Sequence, residues 1–220
     1  MHTDPLKVAV VTGGHAYDVI KFHKLWQSLA GIEAYIQHID DFAAASPAVR
    51  AGYEVVVFYI MMMAGPTDEG LPGYRGRPKA ALEELGRAEQ GIVVLHHALL
   101  AYPDWPVWDE VVGLAGRQLA GYEHDETMAI KVSDRAHPIT QGISDWTMVD
   151  ETYDMADAGS DNQILLTVNQ ANSMNTLAWA HQYQASRVFC FQSGHDHQAW
   201  EDETFREILK RGIAWSGRRL

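Results

Sequence analysis

Lys7-Val-Ala-Val-Val-Thr12, running directly into Gly13-Gly14-His15, is the stretch from which the fold can be worked out. A β-branched run with almost no polar alternation has to be buried on both faces, which is the condition of a strand inside a parallel sheet. A turn at Gly13-Gly14 follows, and from Tyr17 to Leu29 the apolar residues Val19, Ile20, Phe22, Leu25, Trp26 and Leu29 recur at helical spacing, with Gly31 as the stop. A strand is expected over Glu33 to Ile39 and another at Val55-Val-Val-Phe-Tyr-Ile60. Met61 to Arg77, interrupted by Gly and Pro, reads as a long loop, and Pro78 to Glu89 as a helix opened by proline. Gly91 then introduces the strand Ile92-Val-Val-Leu-His96. This βαβα order predicts a doubly wound α/β sheet whose ligand site lies at the carboxyl ends of the strands.

Past residue 120 the pattern is less regular. Short strands are expected at Met128–Val132, Thr152–Met155, Ile164–Val168, Thr176–His181 and Arg187–Gln192, with an amphipathic helix from about Glu203 to Trp215. No repeat, low-complexity tract or linker divides the chain, so residues 1–220 are read as one domain.

The charge balance narrows the partners. With 17 Lys+Arg against 29 Asp+Glu the net charge is −12, the wrong field for a phosphate backbone, so no nucleic-acid partner is expected. No apolar stretch approaches the ~20 residues of a membrane span. A single cysteine, Cys190, excludes an intrachain disulfide framework, and the polar start Met-His-Thr-Asp-Pro is not a signal peptide, so a cytoplasmic protein is expected. The Met61-Met-Met63 loop and the surplus of tryptophan point to apolar surface and a homo-oligomer.

Of 11 histidines, several stand at strand ends rather than on helix faces. His15 follows the first strand, His96 and His97 end the Ile92 strand, and His195 and His197 follow the Arg187 strand across Ser193-Gly194. Parallel strands bring such ends to one rim, where Glu151 and Asp154 supply carboxylates. Imidazoles and a carboxylate around an open position suit Zn²⁺ or another divalent ion, and without metal the same set suits acid–base chemistry near neutral pH. Strand alternation lets only one of His96 and His97 face such a site cleanly. His137 fits a structural turn, His2, His23 and His38 a solvated surface, and the tryptophans are more often core than sugar platforms. Gly13-Gly14-His15 is not a dinucleotide fingerprint, and a P-loop and a G-x-S-x-G elbow are both absent, so no nucleotide cofactor is expected. Cys190 lies inside a strand, away from the geometry a nucleophile requires.

The ordered strings Val11-Thr-Gly-Gly-His15, Gly91-Ile-Val-Val-Leu-His-His-Ala98, Tyr102-Pro-Asp-Trp-Pro106, His137-Pro-Ile-Thr140, Asp150-Glu-Thr-Tyr153 and Ser193-Gly-His-Asp196 with Ala199-Trp200 resemble the ThuA-like (trehalose utilisation) family from about residue 7 to 217. The resemblance implies a flavodoxin-like three-layer α/β/α sandwich with a mostly parallel sheet, similar to class I glutamine amidotransferases. It also implies a role in bacterial sugar metabolism, with trehalose and its 3-keto derivatives as associated substrates. In the wider superfamily a catalytic Cys follows the strand matching Ile92–His96; here His96-His97 stands at that place, so glutamine hydrolysis through a thioester is not expected.

The resulting expectation is an enzyme acting on a small-molecule carbohydrate or keto-sugar. His96, Glu151, His195 and Tyr153 are the candidate catalytic residues, and His15, His96, Glu151 and His195 the candidate metal ligands. Gly14, His15, Asp104, Trp105, Asp196 and Trp200 are the candidate substrate contacts. The alternative is a non-catalytic sugar-binding or regulatory module on the same fold.

Overall fold

A computed structural model describes residues 4–69 and 76–220. Its centre is a nine-stranded sheet in the order β2-β1-β3-β4-β9-β8-β7-β5-β6. Four parallel pairings join β2 (Ile32–His38), β1 (Leu6–Gly13), β3 (Val55–Ile60), β4 (Gly91–Leu95) and β9 (Ser186–Phe191). This is the flavodoxin-like order, with β9 as the fifth strand. Four antiparallel pairings then add β8 (Thr176–Tyr183), β7 (Gln163–Thr167), β5 (Gly121–Val132) and β6 (Trp146–Asp154). The expected α/β sandwich is present, with an antiparallel extension that the shorter strand signals of the second half describe only in part.

Two cores flank the sheet because alternate residues of each buried strand face opposite layers. Val8 and Val10 of β1 pack with Phe22, Leu25 and Trp26 of α1 (Val19–Ser28) and with Phe205, Ile208 and Leu209 of α7 (Glu203–Ser216). Ala9 and Val11 pack on the other side with Phe42 of α2 (Ile39–Ala44), Leu82 of α4 (Pro78–Glu83) and Trp108 of α5 (Pro106–Val112). The short helices α3 (Pro47–Arg50) and α6 (His197–Trp200) complete the set among the described residues.

Several boundaries move for local reasons. α1 starts at Val19, not Tyr17, since the Asp18 carboxylate accepts the Lys21 N–H at 3.0 Å and caps it. The helix expected through Glu89 ends at Glu83, and Gly86 turns away at φ +80°. β5 begins seven residues before the expected Met128: its first half, Tyr122-Glu-His-Asp-Glu-Thr127, is polar and paired along one side with β6. The Met61–Arg77 loop has no helix or strand among its described residues; 70–75 lie outside them, as does His2. No helix among the described residues is long and apolar enough to cross a membrane.

Candidate functional site

β1, β3, β4 and β9 end on one rim, and β4 ends one residue earlier than expected. His96 leaves the strand at φ +53° and opens a 3-10 turn over residues 96–100. That backbone is uncommon for a non-glycine residue, and it turns the His96 ring toward the antiparallel half of the sheet. On β6, Glu151 and Tyr153 share a face because they are two residues apart. β9 delivers Gln192, Ser193, Gly194 and His195 to the same place.

Three ligand atoms converge there. His96 Nε2 lies 3.0 Å from Glu151 Oε2 and 3.2 Å from His195 Nδ1, and His195 Nδ1 lies 3.3 Å from the same carboxylate oxygen. The opposite nitrogen of His96, Nδ1, faces the Gln192 carbonyl at 2.6 Å; a carbonyl only accepts, so Nδ1 carries the proton and Nε2 presents its lone pair. The Tyr153 hydroxyl donates to this Nε2 at 2.8 Å. His96, Glu151 and Tyr153 are all buried, so a carboxylate oxygen and a nitrogen lone pair that already accepts from Tyr153 face one another with little water to screen them. Such a pair calls for a proton or a cation between its members.

The electrostatics follow from these contacts. Desolvation works against the Glu151 carboxylate, but the hydrogen bond from His195 leads the opposing causes, and the carboxyl is held well below the usual range. The same bond to Glu151 raises His195 against its own burial. Burial, with the negative charge of Glu151, pushes the Tyr153 phenol well above its ordinary value, so it stays a donor. Beneath the centre, buried Asp150 accepts the Gly194 N–H at 2.6 Å and the His195 N–H at 3.0 Å, and burial raises its carboxyl. Tyr59 O–H donates to the His195 carbonyl at 3.0 Å and Trp200 Nε1–H to the Gly194 carbonyl at 2.9 Å, which fixes the loop backbone.

The other expected residues are spread around this centre. His15 packs against His97 in a tilted contact with ring centroids 4.6 Å apart and stands 6.1 Å from the His195 ring, outside the ligand triangle. His97 is buried beside Tyr59, donates Nδ1–H to the Ile60 carbonyl at 3.1 Å, and leaves Nε2 without a partner among the described residues. Gly14 is held at φ +77° where a Cβ would meet the Met61 carbonyl oxygen at 2.4 Å. Asp196 caps α6 through the Gln198 N–H at 2.8 Å. Trp200 packs in the core against Phe22. Asp104 is exposed, and half-buried Trp105 meets Tyr102 edge-on; none of their contacts among the described residues reaches the triangle.

Sequence reasoning missed three members. His124, in the irregular part of the β5–β6 ladder, places Nδ1 3.1 Å from the second oxygen of Glu151. Asp150, rather than Asp154, is the carboxylate that organises the loop. Gln192 sets the His96 tautomer and donates its side-chain amide to the Glu151 carbonyl at 2.9 Å. The signal for His124 was cross-strand register, which needs both ends of β5 to be known.

A parallel 2-1-3-4 core with imidazoles at its carboxyl rim defines a flavodoxin-like α/β protein with histidine rather than cysteine at its strand ends. Its backbone is similar to that of a GMP synthase component from Thermoplasma acidophilum (TM-score 0.57, 14% identity, 97% of this chain and 94% of that one). A family model described as ThuA, trehalose utilisation, matches residues 8–216, and the chain belongs to that family. Two solved ThuA-like proteins share the fold. One is from Parabacteroides merdae ATCC 43184 (TM-score 0.73, 19% identity, 97% and 90% covered). The other is from Bacteroides uniformis ATCC 8492 (TM-score 0.74, 16% identity, 98% and 93% covered). No curated protein matches the chain.

Proposed function

We propose that this chain is an enzyme of carbohydrate metabolism that acts on a sugar or 3-keto-glycoside at the His96–Glu151–His195 centre, which holds Zn²⁺ or another divalent ion. The observation that carries this reading is the triangle of ligand atoms, with edges of 3.0, 3.2 and 3.3 Å. A tetrahedral ion with bonds of about 2.0–2.2 Å spans ligand separations of about 3.3–3.6 Å, slightly wider than the triangle found here, and two His with one Glu is a donor set of catalytic zinc sites. When bound, the ion would polarise a sugar carbonyl or lower the pKa of a water. The Gln192 carbonyl orients His96, Asp150 holds the backbone of His195, and Tyr153 offers a proton donor beside them. Family membership supports the carbohydrate assignment.

Metal analysis of the purified chain should find about one divalent ion, lost in His96→Ala and His195→Ala together with turnover of a 3-keto-glycoside. No bound metal and unchanged turnover in both variants would sink the proposal. Full activity after chelation would instead favour acid–base catalysis by His195, whose proton bridges to Glu151 when no ion is bound. Sugar binding without any product would favour a binding module. A cytoplasmic homo-oligomer remains part of the proposal, supported by Met63, which is 57% exposed on the loop after β3. Light scattering that returns the monomer mass of 24.6 kDa would remove the oligomer from it.

A further inference from the structure

A second space opens on the other side of His15. Thr12, Gly13, Gly14 and His15 form one wall of a cleft of about 560 Å³, and Tyr17, His23, Gln37, His38 and Asp41 contribute to the rest. It sits where β1 and β2 end side by side, with Thr12 paired to His38 across the ladder. His15 belongs to this cleft and also stands 6.1 Å from the His195 ring, so the cleft adjoins the His96–Glu151–His195 centre.

We infer that this cleft is the subsite for the non-reacting, neutral polyhydroxyl unit of a glycoside whose reactive unit occupies the centre. The inference rests on the proposed function. Its volume lies in the range of about 300–1,000 Å³ usual for small-molecule sites. Its lining is mainly polar, and although Thr12 donates to the Gln37 carbonyl and the Gln37 amide to the Tyr53 hydroxyl, part of its hydrogen-bonding capacity is unspent. Among the described residues, the exposed side chains of His23 and Asp41 make no ion pair or side-chain hydrogen bond, and the Tyr17 hydroxyl is likewise unused. His38 spends Nδ1 in accepting the Asp40 N–H at 3.1 Å, which leaves Nε2–H as a donor beside Gly13. Imidazole and phenol donors and a carboxylate acceptor thus share the cleft, a set that hydroxyl groups can satisfy. No Lys or Arg among the described residues lines it, and it carries the Asp41 carboxylate, so a sugar phosphate is disfavoured. Metal-ligand atoms do not converge there: among the described residues His96, Glu151 and His195 form the one such group.

Calorimetry on the purified full chain with trehalose as a neutral disaccharide probe, and glucose 6-phosphate as the anionic comparator, tests the subsite. His23 and Asp41 are exposed, so His23→Ala and Asp41→Ala should fold and keep the metal content of the parent chain. Each should weaken trehalose binding about tenfold, the loss of one hydrogen bond involving a charged or strongly polar group. His23→Trp, which fills the cleft, should abolish it. Trehalose bound equally by all variants, bound by none including the parent chain, or bound more weakly than glucose 6-phosphate would each overturn the subsite. The catalytic reading fails separately, by absent metal and by turnover indifferent to Glu151→Gln; binding that responds to His23 and Asp41 would then still establish the cleft.

Discussion

At Glu151 one carboxylate serves three imidazoles: Oε2 faces His96 and His195, and Oε1 faces His124 at 3.1 Å. Its negative charge is therefore common to the electrostatics of the whole site. Glu151→Gln keeps the shape and removes that charge. In chelated protein the pKa of His195, followed by NMR, should fall, because the hydrogen bond to Glu151 is the largest cause of its elevation. Divalent-metal affinity should fall by at least about 10–100-fold, since even outer partners of a metal ligand carry that much. An unmoved His195 titration would mean that the bond is not formed in solution. Residues at this scale were legible unevenly. Glu151 and Tyr153 share a strand parity that anyone can count, and His96 and His195 stand beside glycines or strand ends. The tautomer-setting atom of Gln192 is a backbone carbonyl and the Asp150 carboxylate binds backbone N–H groups of a loop 44 residues on, so neither leaves a spacing signature.

The element that presents His96 is a turn held by a buried cation. Arg117 donates to the carbonyls of Leu99 and Ala101, each at 2.7 Å, to that of Tyr102 at 3.1 Å, and to Asp109 at 2.6 Å. Arg117→Met would orphan these carbonyls and the carboxylate, and should cost about 3–5 kcal/mol, measured by chemical denaturation. Lysine should not rescue it, because one ammonium cannot fork to so many acceptors. On the opposite layer, α7 lies against β9 through Gly212, where a Cβ would meet the Phe189 ring at 2.1 Å. Gly212→Ala should therefore destabilise by about 1–3 kcal/mol despite its better helix propensity, and a thermal melt at or above the parent Tm would refute that packing. Elements were legible where burial imposed an unbroken apolar run, as in β1, β3 and β4. They were not where pairing alone made the strand: the first half of β5 is polar because much of it is solvent-facing, so its composition reads as loop.

Across the whole molecule, the histidines that titrate abnormally couple stability to pH. Burial lowers His15, His137 and His181 below the ordinary imidazole value and takes His97 down to about 2. For a lowered histidine the folded state stays neutral while the unfolded chain takes up a proton below about 6.5. The stabilisation is thus complete above that pH and is lost as pH falls toward the folded value. His195, raised by Glu151, has the opposite sign: its stabilisation is full below the unfolded value and is lost as pH rises through its folded pKa. Below about 6.5, then, His195 adds no further slope, while the lowered group each take away up to about 1.4 kcal/mol per pH unit. Chelated protein, which removes any competition between metal and protons, should lose stability steadily from about pH 6.5 to 5 in urea titrations. His97→Asn retains an N–H for the Ile60 carbonyl and cannot titrate, so it should reduce that slope by one proton's worth, up to about 1.4 kcal/mol per unit. An identical slope in the parent chain and His97→Asn would mean that His97 accepts its proton without unfolding. Its buried Nε2 would then have to find an acceptor in the folded protein, with the tilted His15 ring the nearest imidazole.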